Sequence, residues 1–210
     1  MKTMFVPVKL NYSIDKSNLL EISKNLPKNI AIAYSIQYKD IADEIKQELS
    51  KKHKITCLIQ VLGCSNPKFS KDTHGVLLVG SGRFHAISLA YETKLPIYIY
   101  TVEINKLSKV SQKDVDMLER THKVAYLRYL HTDRVGILIS TKPGQENLKK
   151  AIKLKKKLHR SVYPKTQNSG AKKSYLFISN NINSSEFENF GIKSWINTAC
   201  PRIDMNDTSV

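Results

Sequence analysis

The chain has 210 residues, 41% hydrophobic and 25% charged, enough for one large domain or two small ones. No apolar run reaches the ~20 residues that cross a bilayer, and the start "MKTMFVPVKLNYS" lacks the apolar segment of a signal peptide, so a soluble, cytoplasmic protein with no membrane partner is expected. With 34 basic and 18 acidic residues the net charge is +16, which favours anionic or acidic partners.

The predicted elements alternate along the chain. "NIAIAYS" (29–35) is a short apolar run that reads as a buried strand. In "KDIADEIKQEL" (39–49), Ile41, Ile45 and Leu49 recur every four residues, which predicts one apolar face of a helix. "KITCLIQVL" (54–62) and "HGVLLVGSG" (74–82) read as strands, "FHAISLAYE" (84–92) as a helix and "LPIYIYTV" (95–102) as a strand. A polar helical stretch covers about 111–130. The rhythm then restarts: strand "RVGILIS" (134–140), turn "TKPGQ" (141–145) and helix "ENLKKAIKLKKKLH" (146–159). After the loop candidate "PKTQNSGAKK" (164–173) come strand "SYLFIS" (174–179), short helix "SSEFENF" (184–190) and strand "SWINTA" (194–199). Strands alternating with helices predict parallel α/β sheets. The expected fold is α/β, two similar small domains (1–110 and 131–210) with mainly parallel sheets flanked by helices and joined by a helix (111–130).

Three cysteines occur, Cys57, Cys64 and Cys200, with no CxxC pair. That spacing excludes zinc ribbons and thioredoxin-like redox motifs. Cys57 alternates with Ile55 and Ile59, so it is expected to share their face and pack in the core. Cys64 follows Gly63 and leaves its strand in a loop. Cys200 stands in "TACPR", where Pro201 biases it toward an extended conformation and Arg202 is close enough to favour a thiolate. Both fall at or past the carboxyl end of an apolar strand, where open α/β sheets bind ligands. Being 136 residues apart, they cannot form a local motif. In "VGSGRFH" (79–85) the glycines sit between a strand and a helix, a place where backbone N–H groups can meet an anion. "KPGQ" (142–145) is the analogous turn of the second half. The missing GxGxxG fingerprint and GxSxG elbow exclude a Rossmann dehydrogenase and an α/β-hydrolase. No stacking platform or recognition motif is present, so a nucleic-acid partner is not expected.

"QVLGC", "VGSGRFH", "ISTKPGQ" and "NTACPRI…ND" occur in an order that resembles the archaeal diphthamide synthase family, the 2-(3-amino-3-carboxypropyl)histidine synthases. "FVPV" resembles the start of that family's second domain. The resemblance implies a noncanonical radical S-adenosylmethionine enzyme of three similar α/β domains, each giving one cysteine to a 4Fe-4S cluster. Cys64 and Cys200 match the cysteines of the second and third domains. S-adenosylmethionine, as cosubstrate, would supply a 3-amino-3-carboxypropyl group to the imidazole C2 of a histidine in translation elongation factor 2. Around it the resemblance places Gln60, Gly80, Ser81, Gly82, Phe84 and His85, with Gly144 and Gln145 in the second half. The first domain of the family finds no match, so a separate polypeptide (or a dimer) is expected to supply it. No catalytic acid or base is assigned. The alternative is a non-catalytic scaffold or regulatory paralogue that binds elongation factor 2 or a full synthase.

Overall fold

The computed structural model describes residues 4, 6, 8–10, 12–62, 65–160 and 172–205. The chain divides into two compact units, Met1–Met117 and Leu118–Val210.

The first unit holds a five-stranded sheet in the order β2-β1-β3-β4-β5. Strands β1 (Asn29–Tyr34), β2 (Lys54–Gln60), β3 (Gly75–Val79) and β4 (Ile97–Thr101) run parallel, and β5 (Lys106–Lys109) is an antiparallel edge. Side chains alternate across a strand, so β1 feeds two cores. Ile30, Ile32 and Tyr34 pack with Leu19 of α1 (Lys16–Ile22) and with Ile41, Ile45 and Leu49 of α2 (Lys39–Leu49). Ala31 and Ala33 face the other way, toward Ala86, Leu89 and Ala90 of α3 (Arg83–Thr93) and Val115 of α4 (Gln112–Leu130). Helices therefore cover both faces. The Ile41–Ile45–Leu49 row expected from the sequence is the buried face of α2. Each such side chain contributes about 1.5–3 kcal/mol on burial.

Helix α1 and strand β5 are among the elements unread in the sequence. Helix α1 is only two turns long, started by Asp15, whose carboxylate accepts from the N–H groups of Ser17 (3.0 Å) and Asn18 (3.2 Å). Strand β5 has four residues, two of them lysine, a charged and short edge of the kind that resists further pairing.

The expected face for Cys57 needs correction in part. β1 and β2 pair Ile30 with Ile55 but Ala31 with Cys57, so Thr56 is the extra residue of a bulge. The strand pattern turns over at that point. Ile55 packs with the Ile30 cluster, while Cys57 and Ile59 pack with the Ala31 cluster. Thr56 Oγ1 lies 2.8 Å from Thr73 Oγ1 and 3.2 Å from the Ile30 carbonyl, which fixes the bulge. Cys57 does pack against core, but Ile55 lies on the opposite face.

The second unit holds a parallel sheet in the order β7-β6-β8, formed by β6 (Arg134–Ser140), β7 (Lys173–Ser179) and β8 (Ser194–Asn197). Val135, Ile137 and Ile139 pack with Ala151 and Leu158 of α5 (Leu148–Arg160) and with Tyr129 of α4. On the other face the Trp195 ring stacks on Phe187 and meets Phe177 edge to face. A 3₁₀ helix (Ser184–Phe190) carries Phe187 and Phe190, and Gly191 ends it in the left-handed region at φ +59°. The final helix, α6 (Arg202–Met205), is one turn. Most of the loop expected at 164–173 lies outside the described residues, and Lys173 already belongs to β7. Helix α4 crosses the division between the units. Ser111 and Asp114 start it by exchanging bonds: the Asp114 N–H donates to Ser111 Oγ, and Ser111 Oγ–H donates to the carboxylate. Among the described residues no helix is long and apolar enough to cross a membrane.

Candidate functional site

In an open parallel sheet the ligand crevice lies outside the carboxyl ends of the strands, where successive connections leave on opposite faces. In the first unit that point lies between β1 and β3: α2 covers one face and α3 the other. In the second it lies between β6 and β8, with α5 on one face and the 3₁₀ helix on the other.

At the first point the chain leaves β3 through Gly80, Ser81 and Gly82. Gly80 has φ +143°, a region closed to side chains, and its N–H donates to the Tyr100 carbonyl at 3.1 Å. A Cβ there would also stand 3.3 Å from the Tyr38 ring. Gly82 precedes α3 without a side-chain cap. The His85 ring folds back over it, so a Cβ on Gly82 would lie 2.4 Å from Nδ1. Glycine at 82 is thus a steric requirement of the His85 position. Phe84 meets His85 edge to face at 5.3 Å. Gln60 ends β2 in register with Tyr34 and is exposed. Gly63 and Cys64 lie outside the described residues.

Two side-chain pairs at this edge, Tyr38 with Glu103 and Arg83 with Asp114, were not found from sequence. Tyr38 is buried and donates its hydroxyl to the Glu103 carboxylate, which follows β4. Burial first, then Glu103, raises the tyrosine pKa above its ordinary value, against a smaller opposing effect of the Ser81 side chain. Arg83 Nη2 donates to both carboxylate oxygens of Asp114, at 2.9 and 2.8 Å, joining the starts of α3 and α4. The Ser111 hydroxyl first, and Arg83 after it, hold the Asp114 carboxyl below the usual range against a partial opposing effect of burial. Glu103 and Asp114 are remote in sequence from the groups they bind.

At the second point Lys142–Gln145 forms a turn closed by Gln145 N–H to the Lys142 carbonyl at 3.0 Å, with Pro143 leading and Gly144 at φ +78°. Nothing lies within 4 Å of a Cβ at Gly144, so its requirement is conformational alone. Thr198 continues β8: its N–H and hydroxyl both donate to the Leu138 carbonyl, at 3.1 and 2.6 Å. Asn147 Nδ2 donates to the Thr198 carbonyl at 2.8 Å, which links the residue before α5 to the end of β8. Asn197 then builds the cysteine loop. Its Oδ1 accepts from Ala199 N–H and its Nδ2 donates to the Cys200 carbonyl, both at 2.8 Å. Ile203 N–H bonds the same carbonyl at 3.1 Å. Cys200 is half-buried and Arg202 exposed. The Cys200 carbonyl is therefore held by two donors, the Asn197 side chain and the Ile203 N–H.

Cys57 differs in kind. Burial pushes its thiol pKa up, which disfavours the thiolate that binds metal. Among the described residues, no group of three or more His, Cys, Asp or Glu is arranged to hold a metal ion. Iron–sulfur clusters take several thiolates; of the two candidate ligands, Cys200 is the one within the described set.

The fold and these edges define an α/β protein of two units, each with a mainly parallel open sheet that carries candidate residues at the carboxyl ends of its strands. Residues 1–209 match the family model "Putative diphthamide synthesis protein", and the chain belongs to that family. It is 25% identical over 99% of its length to 2-(3-amino-3-carboxypropyl)histidine synthase of Methanocaldococcus jannaschii. The same-named protein of Pyrococcus horikoshii is 26% identical over 98% of it. The chain spans 57% and 60% of those two proteins. It also resembles the solved Dph2 of P. horikoshii with a 4Fe-4S cluster: TM-score 0.74 at 24% identity, covering 97% of this chain and 60% of that one. At that identity the likeness bears on the fold.

Proposed function

We propose that the chain is one subunit of a 3-amino-3-carboxypropyl transferase, with Cys64 and Cys200 as two ligands of a 4Fe-4S cluster and a further polypeptide giving the third. The observation that carries this reading is Cys200, fixed by Asn197 at the carboxyl edge of β8 in a chain that matches the synthase family from residue 1 to 209. The cluster, when bound, would supply the electron that cleaves S-adenosylmethionine. The regions 1–110 and 131–210 correspond, in this reading, to the second and third domains of a three-domain synthase. The acceptor is a histidine of translation elongation factor 2, and the compartment is the cytoplasm.

The chain's own residues have narrower tasks. Ser81 and Gly82 offer backbone N–H groups to the cosubstrate, with Gly80 setting the turn and Gln60, Phe84 and His85 beside them. Tyr38, held by Glu103, backs the turn at Gly80. Gly144 and Gln145 do the corresponding work in the second unit. Asn197 and Thr198 hold the loop that presents Cys200.

The test is iron and labile sulfide content after anaerobic co-expression with a one-cysteine α/β partner. A 4Fe-4S cluster is expected in the complex, lost in Cys64→Ser and in Cys200→Ser and retained in Cys57→Ala. If both serine variants still support modification of elongation factor 2 by the assembled system, the chain is a scaffold and the catalytic reading is wrong.

A further inference from the structure

Helix α5 reads LKKAIKLKKKLHR: six lysines, one arginine and no acidic residue. Its two sides are sharply different. Ala151 and Leu158 are buried in the core of the second unit, with Leu148 and Leu154 packed beside them. Lys149, Lys150, Lys153 and Lys156 are exposed. At about 100° per residue these four fall within an arc of about 120°, opposite the apolar stripe. Among the described residues none of the four takes part in an ion pair. The unit that carries them has 17 basic and 7 acidic residues, so most of the chain's excess charge lies there.

The composition of the face decides among polyanions. Protein interfaces are depleted in lysine and built around aromatic or apolar anchors. This face has no Phe, Tyr or Trp, and its apolar exposure is confined to Ile152. Single-stranded nucleic acid is held by aromatic side chains that stack on bases, and none is present on the helix. Lysine is a compact point charge that contacts phosphate without the fork geometry by which arginine reads bases. From Lys149 to Lys156 the helix rises about 10 Å, a length over which a duplex presents about six phosphate charges. The lack of a recognition motif in the sequence bears on base reading and leaves phosphate contact untouched.

We propose that this face of α5 binds the phosphate backbone of a nucleic-acid duplex without reading its sequence. The inference is independent of the transferase reading, since no proposed cluster or cosubstrate residue lies on α5.

The experiment is fluorescence anisotropy of the full chain with labelled RNA and DNA duplexes of about 20 base pairs, at salt from 50 to 200 mM. Four phosphate contacts predict a fall in affinity of roughly 100-fold across that range, with RNA and DNA duplexes within a few fold of each other. The variant Lys149→Gln, Lys150→Gln, Lys153→Gln and Lys156→Gln keeps helix propensity and should weaken binding more than tenfold at 50 mM salt. A second variant, Lys24→Gln, Lys39→Gln, Lys52→Gln and Lys71→Gln, removes the same charge from exposed sites of the first unit and should change binding less than threefold. Absence of duplex binding at 50 mM salt, or equal loss in both variants, overturns the proposal. So does tighter binding to a single strand or to a polyglutamate peptide, the latter assigning the face to an acidic protein. Iron content of the α5 variant after anaerobic co-expression with the one-cysteine partner, measured in parallel, should match that of the unmodified complex, so failure of either reading is seen separately.

Discussion

At position 56 a threonine reverses the facing of β2. A strand read as strictly alternating puts Ile55, Cys57 and Ile59 on one side; the bulge at Thr56 sends Ile55 to one core and the other two to the opposite core. Nothing in "KITCLIQ" signals this, because the device is a pair of long-range bonds, to Thr73 and to the Ile30 carbonyl. The pairings of Tyr38 with Glu103 and of Arg83 with Asp114 were equally hidden. By contrast Gly144 was legible, since Pro-Gly at the centre of a turn has a local cause. A second residue of the β2 region makes a pH prediction. Lys54 Nζ lies 2.6 Å from the Asp72 carboxylate, and that bond, with one from Ser70, lowers the Asp72 pKa from 3.8 to about 2. The folded value is below the unfolded one, so the pair stabilises the fold above about pH 4 and this contribution fades as pH falls through about 2. The melting temperature of Asp72→Asn should therefore fall less between pH 5 and pH 2 than that of the unmodified chain. Both groups are solvent-exposed, which keeps the difference small. Parallel curves would mean that the Lys54 contact is also present in the unfolded chain.

Elements with strong periodicity were readable: β1, β3 and β6 as apolar runs and α2 as a four-residue repeat, because burial on one or two faces leaves a direct mark on composition. Helix α1 and strand β5 were not, being too short to show a period and held by docking and by pairing to β4. In the second unit the contact between β6 and β8 is set by one glycine. A Cβ at Gly136 would lie 2.3 Å from Trp195 Cε3, so the indole rests on bare backbone, backed by Phe187 and Phe177. Gly136→Ala should overpack this layer and destabilise the second unit by about 1–3 kcal/mol. The chain has a single tryptophan, so its fluorescence reports this layer directly in a urea titration. The midpoint should fall with the slope unchanged; an unmoved midpoint would mean that the indole can swing off the strand without loss.

For the whole molecule, +16 is a large charge for 210 residues, and its distribution matters more than its sum. The excess of basic over acidic groups is greater in the second unit, although that unit has fewer residues and, among the described residues, one core cluster against two in the first. Like charges destabilise the compact state through self-repulsion, and salt weakens that repulsion, with a screening length of about 30 Å at 0.01 M and about 10 Å at 0.1 M. Unfolding followed by Trp195 fluorescence should therefore shift upward by a few degrees between about 10 mM and 200 mM sodium chloride, where about 1 kcal/mol corresponds to 2–4 °C for a chain of this size. The four-lysine variant of α5 should melt higher than the unmodified chain at the lower salt and converge with it at the higher, because the removed charges are adjacent and unpaired on one helix. The first-unit variant, whose lysines are dispersed, should shift the same signal less. If both variants shift it equally, total charge sets the stability and the α5 cluster has no special weight. If neither does, the repulsion is already offset within each unit, and the basic face is energetically silent until a polyanion meets it.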